Sequence, residues 1–526
     1  MRSYYEHLET AMGPMGAVPS HPITRSSAIF PALNRTGIST RILFMGYWLL
    51  KRNIHEVLAV VNLRSEKGAL LGRQTFTINE AKTYRVELKD ALTHAGFSSE
   101  ILFTGTLEIE FFSTVNLVFP FPAVVINYYG PQFSTVVHTA QRIYNDFEDL
   151  KKNSQTKVPE SGFNIYADTD REPFIGLING PLKVENALLE MQFFNSNKET
   201  LTSSLKLGNL EPYELKMIFP AKEVDLLQFL NGKVGAGKVR FDVNWIFPRL
   251  LVGNFQYSLP ALTVTHTYYD TTSAASDSDY WKPAEPGWFP ATLMLPGAIT
   301  KDYFTNVYFY PIYSPTAFHL DVELYSSQGK LLGRKERVLL IKSPTDEFYK
   351  IEIKKLAEEM QLESEIDVGV RIIARPEEEG RLPARIKLGL DVGTTGDQMP
   401  CNICTNLQPF NPALEGKPST FRWAPVLADQ TAPKLWIMNS APHIDYTRSA
   451  EVTMTFHRER DASKIVRTFT LLPHGFRVLY PNEDPELKAF FENQIGWFTL
   501  VSTNPYTSTY YFAENTSGLV GGDHGF

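Results

Sequence analysis

The sequence predicts a mainly β protein: four tandem immunoglobulin-like β-sandwich units arranged as a duplicated pair, each with one short helix. Three observations carry this. The chain matches itself at two shifts, each matching unit repeats one order of strand and helix signals, and the composition favours strands. Aromatic residues make up 13% of 526 residues, with 35 Phe, 24 Tyr, 33 Gly and 34 Pro. Many aromatics among frequent turn formers suit sheets better than helix bundles.

The first shift is 128 residues, without a gap. Val115, Asn116, Phe119, Pro120, Val124, Tyr129, Thr135, Val136, His138 and Thr139 meet Val243, Asn244, Phe247, Pro248, Val252, Tyr257, Thr263, Val264, His266 and Thr267. The second shift is 261, which sets Leu63–Arg73 on Leu324–Arg334 with Gly-x-Leu-Leu-Gly-Arg in common. It also sets Phe219, Pro220, Leu226, Phe229 and Gly235 on Tyr480, Pro481, Leu487, Phe490 and Gly496. A unit duplicated and then duplicated again as a pair accounts for both.

Each unit opens with alternating strands such as VLAVVNLRS or FHLDVELYS and passes a turn to TYRVELK or FYKIEIK. A short amphipathic stretch follows, and further strands close the unit. About seven strands in roughly 100 residues is the sandwich pattern. The expected organisation is an extension at 1–28, units at 29–147, 162–270, 288–395 and 434–526, and linkers at 148–161, 271–287 and 396–433, the last carrying a Cys-x-x-Cys pair.

Charge and cysteine content narrow the function classes. A net charge of −7 without a basic run argues against nucleic acid as a partner. Two cysteines exclude a disulfide-rich scaffold. The uncharged run FFSTVNLVFPFPAVVINYYG holds Pro120 and Pro122, so it reads as two buried strands and not as a membrane span. No signal peptide is recognised, and a cytoplasmic location is the default expectation.

Two phosphate-loop look-alikes have structural readings. GKVGAGKV at 232–239 lacks the final hydroxyl and is followed by a strand, so a tight turn is expected. LGLDVGTTGD at 388–397 resembles the first phosphate loop of the sugar kinase, actin and chaperone ATPase superfamily, which would imply phosphate and Mg²⁺ binding. A β-rich remainder of about 130 residues, with no second phosphate loop, favours a strand ending in a Gly-Thr turn. Cys401 and Cys404 are one pair where zinc needs four ligands, and they are expected to be reduced and partly buried.

The candidate site residues come from the repeats. His138 and His266 follow equivalent strands, and His524 ends the fourth unit near the same place, where the third has GDQMPC. Asp270 and Asp523 neighbour them, and tyrosine pairs recur, putting Tyr129 and Tyr269 among the candidates. Imidazole with carboxylate can ligate a metal or transfer a proton; a copied structural histidine is the competing reading. His138, His266, Cys401 and Cys404 are the metal candidates, and no cofactor is expected. The functional expectation is a non-enzymatic binding or assembly protein whose partner is another protein, itself, or a glycan. The alternative is a metal-assisted or hydrolytic enzyme with its site between units near the histidines.

Overall fold

The computed structural model describes residues 22–138, 141–143, 155–247, 249–267, 280–281, 290–342, 345–362, 366–378, 382–383, 386–396, 398–407, 414, 416–440 and 442–526. These form four β-sandwich units, built from eight four-stranded antiparallel sheets. The strand order is the same in every unit, setting aside four two-residue strands. The first, sixth, third and fourth strands make one sheet; the fifth, second, seventh and eighth make the other. One short helix lies between the fifth and sixth strands: Leu88–His94, Leu226–Leu230, Ile353–Glu359 and Pro485–Phe491.

Period-two patterning builds the sheets. In Val184–Phe194, Ala187, Leu189, Met191 and Phe193 are buried while Leu188, Glu190 and Gln192 are exposed. The uncharged proline-bearing run holds one buried strand, Val124–Gly130, and not the two expected: Phe111 and Phe112 end the preceding strand Phe103–Phe112, and 113–123 is an irregular connection with Val115, Val118 and Phe119 exposed. Among the described residues, no helix is long and apolar enough to cross a membrane. GKVGAGKV turns at Asn231 and Gly232, both left-handed, and runs into strand Gly235–Asn244.

The sequence places linkers where the structure has strands. Gln155–Ile165 is the first strand of unit 2, Cys401–Leu407 closes unit 3, and Thr420–Leu427 opens unit 4. Cys401–Leu407 is buried on both faces except at Thr405, so it lacks the alternation that marks a half-exposed strand.

The 261-residue shift holds at the level of single contacts. Leu215 N–H donates to Glu66 O where unit 1 meets unit 2, and Phe476 N–H donates to Ser327 O where unit 3 meets unit 4. Arg64 stacks on Tyr213 at 3.9 Å; at the same positions Tyr325 stacks on His474 at 4.7 Å. A Cβ on Gly235 would meet Leu230 at 2.4 Å, and one on Gly496 would meet Phe491 at 2.0 Å, so both glycines let the helix end sit on the sheet. Gly68 and Gly329 occupy the docking turns at φ +85° and +74°, with Pro212 O and Pro473 O 2.0 Å from where a Cβ would be. Alanine at either position is expected to cost about 2–3 kcal/mol through positive φ and the clash. Urea unfolding of Gly68→Ala and Gly329→Ala checks this; Gly96→Ala, at an exposed site where a Cβ meets nothing within 4 Å, serves as the comparison for positive φ alone.

The units close on one another. The closing strands Phe133–His138, Ala261–His266, Cys401–Leu407 and Val520–His524 pack in a ring: the first against the second and fourth, the third likewise. Unit 4 meets unit 1 again through Tyr47 stacked on Trp423 at 5.0 Å and through Arg41 to Asp429 at 2.7 Å. One apolar cluster therefore runs from Phe44 and Phe111 of unit 1 to Phe456 and Trp497 of unit 4. Burial that continuous joins the four sandwiches into one block.

Candidate functional site

The closing strands end at the centre of the ring, and this brings the repeated histidines together. His138 and His266 rings meet edge-on at 4.8 Å, and His138 and His524 at 4.3 Å. His138 is 7% exposed, His266 3% and Asp523 4%, while His524 is partly buried. Phe526 caps the group, 5.6 Å from His138 and stacked on Trp423.

Asp523 organises the centre. Its Oδ2 accepts from the His138 backbone N–H at 2.8 Å and lies 2.7 Å from His138 Nδ1; its Oδ1 accepts from the His524 N–H at 2.8 Å. Burial alone would raise its pKa, but His138 and these hydrogen bonds outweigh burial and hold it below the usual carboxylate range. His524 Nδ1 lies 3.0 Å from Gly525 O, and His266 Nδ1 lies 2.9 Å from Thr267 O, so these nitrogens carry the protons. Burial, with Arg249 and His138 nearby, pushes His266 well below its ordinary pKa; burial and His138 push His524 down to about 4. Both imidazoles are neutral at pH 7.

Unit 3 contributes no imidazole. The 261-residue shift sets Met399 against His138, and Met399 is buried in the same apolar cluster as Val136, Val137 and Val264. That signal is present in the sequence once the shift is applied to GDQMPC. Cys401 and Cys404 are both buried and form no disulfide. They sit three apart on a strand, which points their side chains to opposite faces, so they do not form a pair. Cys401 Sγ donates to Val392 O at 3.3 Å, and burial pushes its thiol up, away from the reactive thiolate. Tyr129 lies elsewhere, bonded to Glu87 at 2.7 Å under the Arg41 guanidinium. Tyr269 and Asp270 lie outside the described residues.

A second buried polar centre, not anticipated from the sequence, joins units 2 and 3. Asp391 accepts from Asn402 at 2.6 Å, from Asn164 at 2.9 and 3.0 Å, and from Tyr166 at 3.2 Å; Tyr310 donates to Asn164 at 2.9 Å. Asp391 is the aspartate of the phosphate-loop look-alike, and it lies within strand Ile386–Thr394, bonded to protein groups. Burial lifts its pKa to about 7, against the lowering effect of its three hydrogen-bonding partners and Lys350. A folded value above the unfolded 3.8 means the folded state holds the proton longer. This contribution is fully present below about pH 4, falls as pH rises, and levels off above about pH 7. Between pH 5 and 7.5 the loss is expected to be on the order of 2–3 kcal/mol. The buried neutral histidines act in the opposite sense, so the measurement is the difference between wild type and Asp391→Asn in urea midpoint across that range. The variant is expected to lack the decline.

A cleft of about 420 Å³ lies between units 1 and 2, lined by Arg35, Leu102, Phe103, Phe255, Tyr257 and Pro260 among others. Leu102 is 73% and Tyr257 57% exposed there, and Tyr257 OH donates to Glu172.

No protein-family model and no curated protein matches the sequence. Among solved structures, the tetra-tandem repeat in the extending region of a large adhesion protein aligns with 95% of this chain and 98% of its own, at 8% identity and a TM-score of 0.09. A glycosyl hydrolase family 2 member from Bacteroides cellulosilyticus aligns with 93% of this chain and 92% of its own, at 7% identity and a TM-score of 0.10. A calcium-binding mutant of Bacteroides uniformis β-glucuronidase 2 aligns with 48% of this chain and 32% of its own, at 9% identity and a TM-score of 0.11. At these scores none of the three bears on what this chain does.

Proposed function

We propose that this β-sandwich repeat protein is a non-enzymatic assembly block that pairs strands with other copies of itself at its outer sheet edges. The carrying observation is the set of four outer edge strands, Leu70–Ile78, Thr200–Leu210, Leu331–Ile341 and Lys464–Leu471. Among the described residues, nothing pairs with their outer sides. Such edges are templates for a further strand unless charges guard them. The edges of units 3 and 4 are guarded, by Lys335, Glu336 and Arg337 and by Lys464 and Arg467. Those of units 1 and 2 are not: Arg73 turns to Asn62 at 2.7 Å, and Lys206 is the only charge in the eleven residues Thr200–Leu210.

Burial of the histidines supports the same reading, because a catalytic centre needs a route for substrate. A glycan partner has one supporting feature, the exposed Tyr257 beside Glu172 in the cleft.

Light scattering over a range of concentrations tests the proposal, with Thr202→Pro and Ser203→Pro made singly. Adjacent strand residues aim their N–H groups to opposite sides, so one of the two variants leaves the sheet intact while blocking the edge. The expected result is a concentration-dependent mass above 59.6 kDa that the folded variant loses. A monomer at every concentration contradicts the proposal.

A further inference from the structure

We propose that the imidazoles of His138 and His524 and the carboxylate of Asp523 form a structural zinc-class metal site at the centre of the ring, with His266 as the nearest fourth donor. One ligand atom from each of His138, Asp523 and His524 lies within 4.8 Å of the other two. Tetrahedral zinc with ligands at about 2.0–2.1 Å needs them about 3.3 Å apart, so closing on the ion takes a movement of about 1 Å.

The orientation of the groups fits. A metal-ligating histidine donates its other ring N–H to a carboxylate or carbonyl, which fixes the tautomer. His524 does this through Nδ1 to Gly525 O at 3.0 Å and His266 through Nδ1 to Thr267 O at 2.9 Å, whereas His138 Nδ1 lies 2.7 Å from Asp523 Oδ2, where an ion can take the place of the proton between them. The ligating atoms are then Nε2 of His524 and Nδ1 of His138. Asp523 Oδ2 faces His138 Nδ1 and also accepts the His138 backbone N–H, and Oδ1 accepts the His524 backbone N–H, so the carboxylate is held in place beside both rings. Three imidazoles and a carboxylate suit zinc or its first-row neighbours better than calcium or magnesium, which take oxygen ligands.

The ligands come from units 1, 2 and 4, so the ion would tie the first closing strands to the last. The proposal stands apart from edge pairing: a metal-free chain leaves the light-scattering result untouched, and a monomer leaves the metal result untouched.

The test uses the full chain, stripped with chelator, and titrated with Co²⁺ and Zn²⁺. Expected are one equivalent of zinc per chain after gel filtration, a thermal midpoint raised by several degrees, and a Co²⁺ visible spectrum of tetrahedral type. His524→Ala should lose all three, while His94→Ala, on an exposed helix position, should lose none. If His524→Ala does not fold, the wild-type cobalt spectrum decides alone. Failure of the folded wild-type chain to retain either ion, or retention by His524→Ala equal to wild type, overturns the proposal.

Discussion

Replacing Arg41 by methionine is expected to cost about 3–5 kcal/mol of stability. Arg41 is 2% exposed, in the middle of the strand Ser39–Met45. Its Nε donates to Asn127 at 2.7 Å, one terminal nitrogen pairs with Asp429 at 2.7 Å, and the guanidinium lies 4.2 Å over Tyr129. Methionine keeps much of the stem but leaves Asp429 without its cation and Asn127 Oδ1 without its donor, and removing one partner of a buried pair strands the other. Arg41 and Asp429 belong to the first and last units, so the loss falls on the contact that closes the ring. Chemical unfolding of Arg41→Met gives the cost; adding Asp429→Leu should recover a large part of it, because an apolar pair leaves no uncompensated charge. A cost below about 1 kcal/mol for the single variant would place Arg41 among solvated pairs.

Asp523→Ala is expected to cost a similar amount, about 3–5 kcal/mol. It orphans three buried donors: the His138 N–H, the His138 Nδ1–H and the His524 N–H. Asp523→Asn should cost roughly half, since one carbonyl oxygen still accepts but cannot serve both sides of the centre. Near-equal stability of Asp523→Ala and wild type in urea would show that the aspartate does not organise the centre.

The fold was legible in the sequence where repetition multiplied weak signals. One alternating stretch is ambiguous, but Leu63–Arg73 and Leu324–Arg334 share a motif whose parts have fixed jobs. Gly68 and Gly329 take the left-handed turn that meets the next unit, and Arg73 and Arg334 reach inward to Asn62 and Glu323. Self-comparison found these because a duplicated contact keeps both of its sides. The strand Cys401–Leu407 escaped because burial on both faces erases period two, and a proline-bearing stretch follows it.

The site was half legible. Copied histidines at strand ends flagged His138, His266 and His524, and Asp523 stood beside the last of them. Their convergence was not readable, because it depends on how the four units close. Arg41 and Asp391 carried a local signal, a lone charge amid STRILFM and LGLDVG. A buried charge implies a partner, but neither Asp429 nor Asn164 is near in sequence. Tyr129 was chosen for its repetition and proves to belong to the unit 1 and unit 4 contact, away from the histidines.

Small-angle X-ray scattering on the monomeric species, with mass measured in the same run, tests the closed ring most directly. A compact chain of 526 residues should give a radius of gyration of about 24 Å. Four sandwiches strung end to end, each about 34 Å across, would give about 40 Å. A value near 24 Å is the expected result; a value near 40 Å would contradict the ring, and with it the meeting of the three histidines.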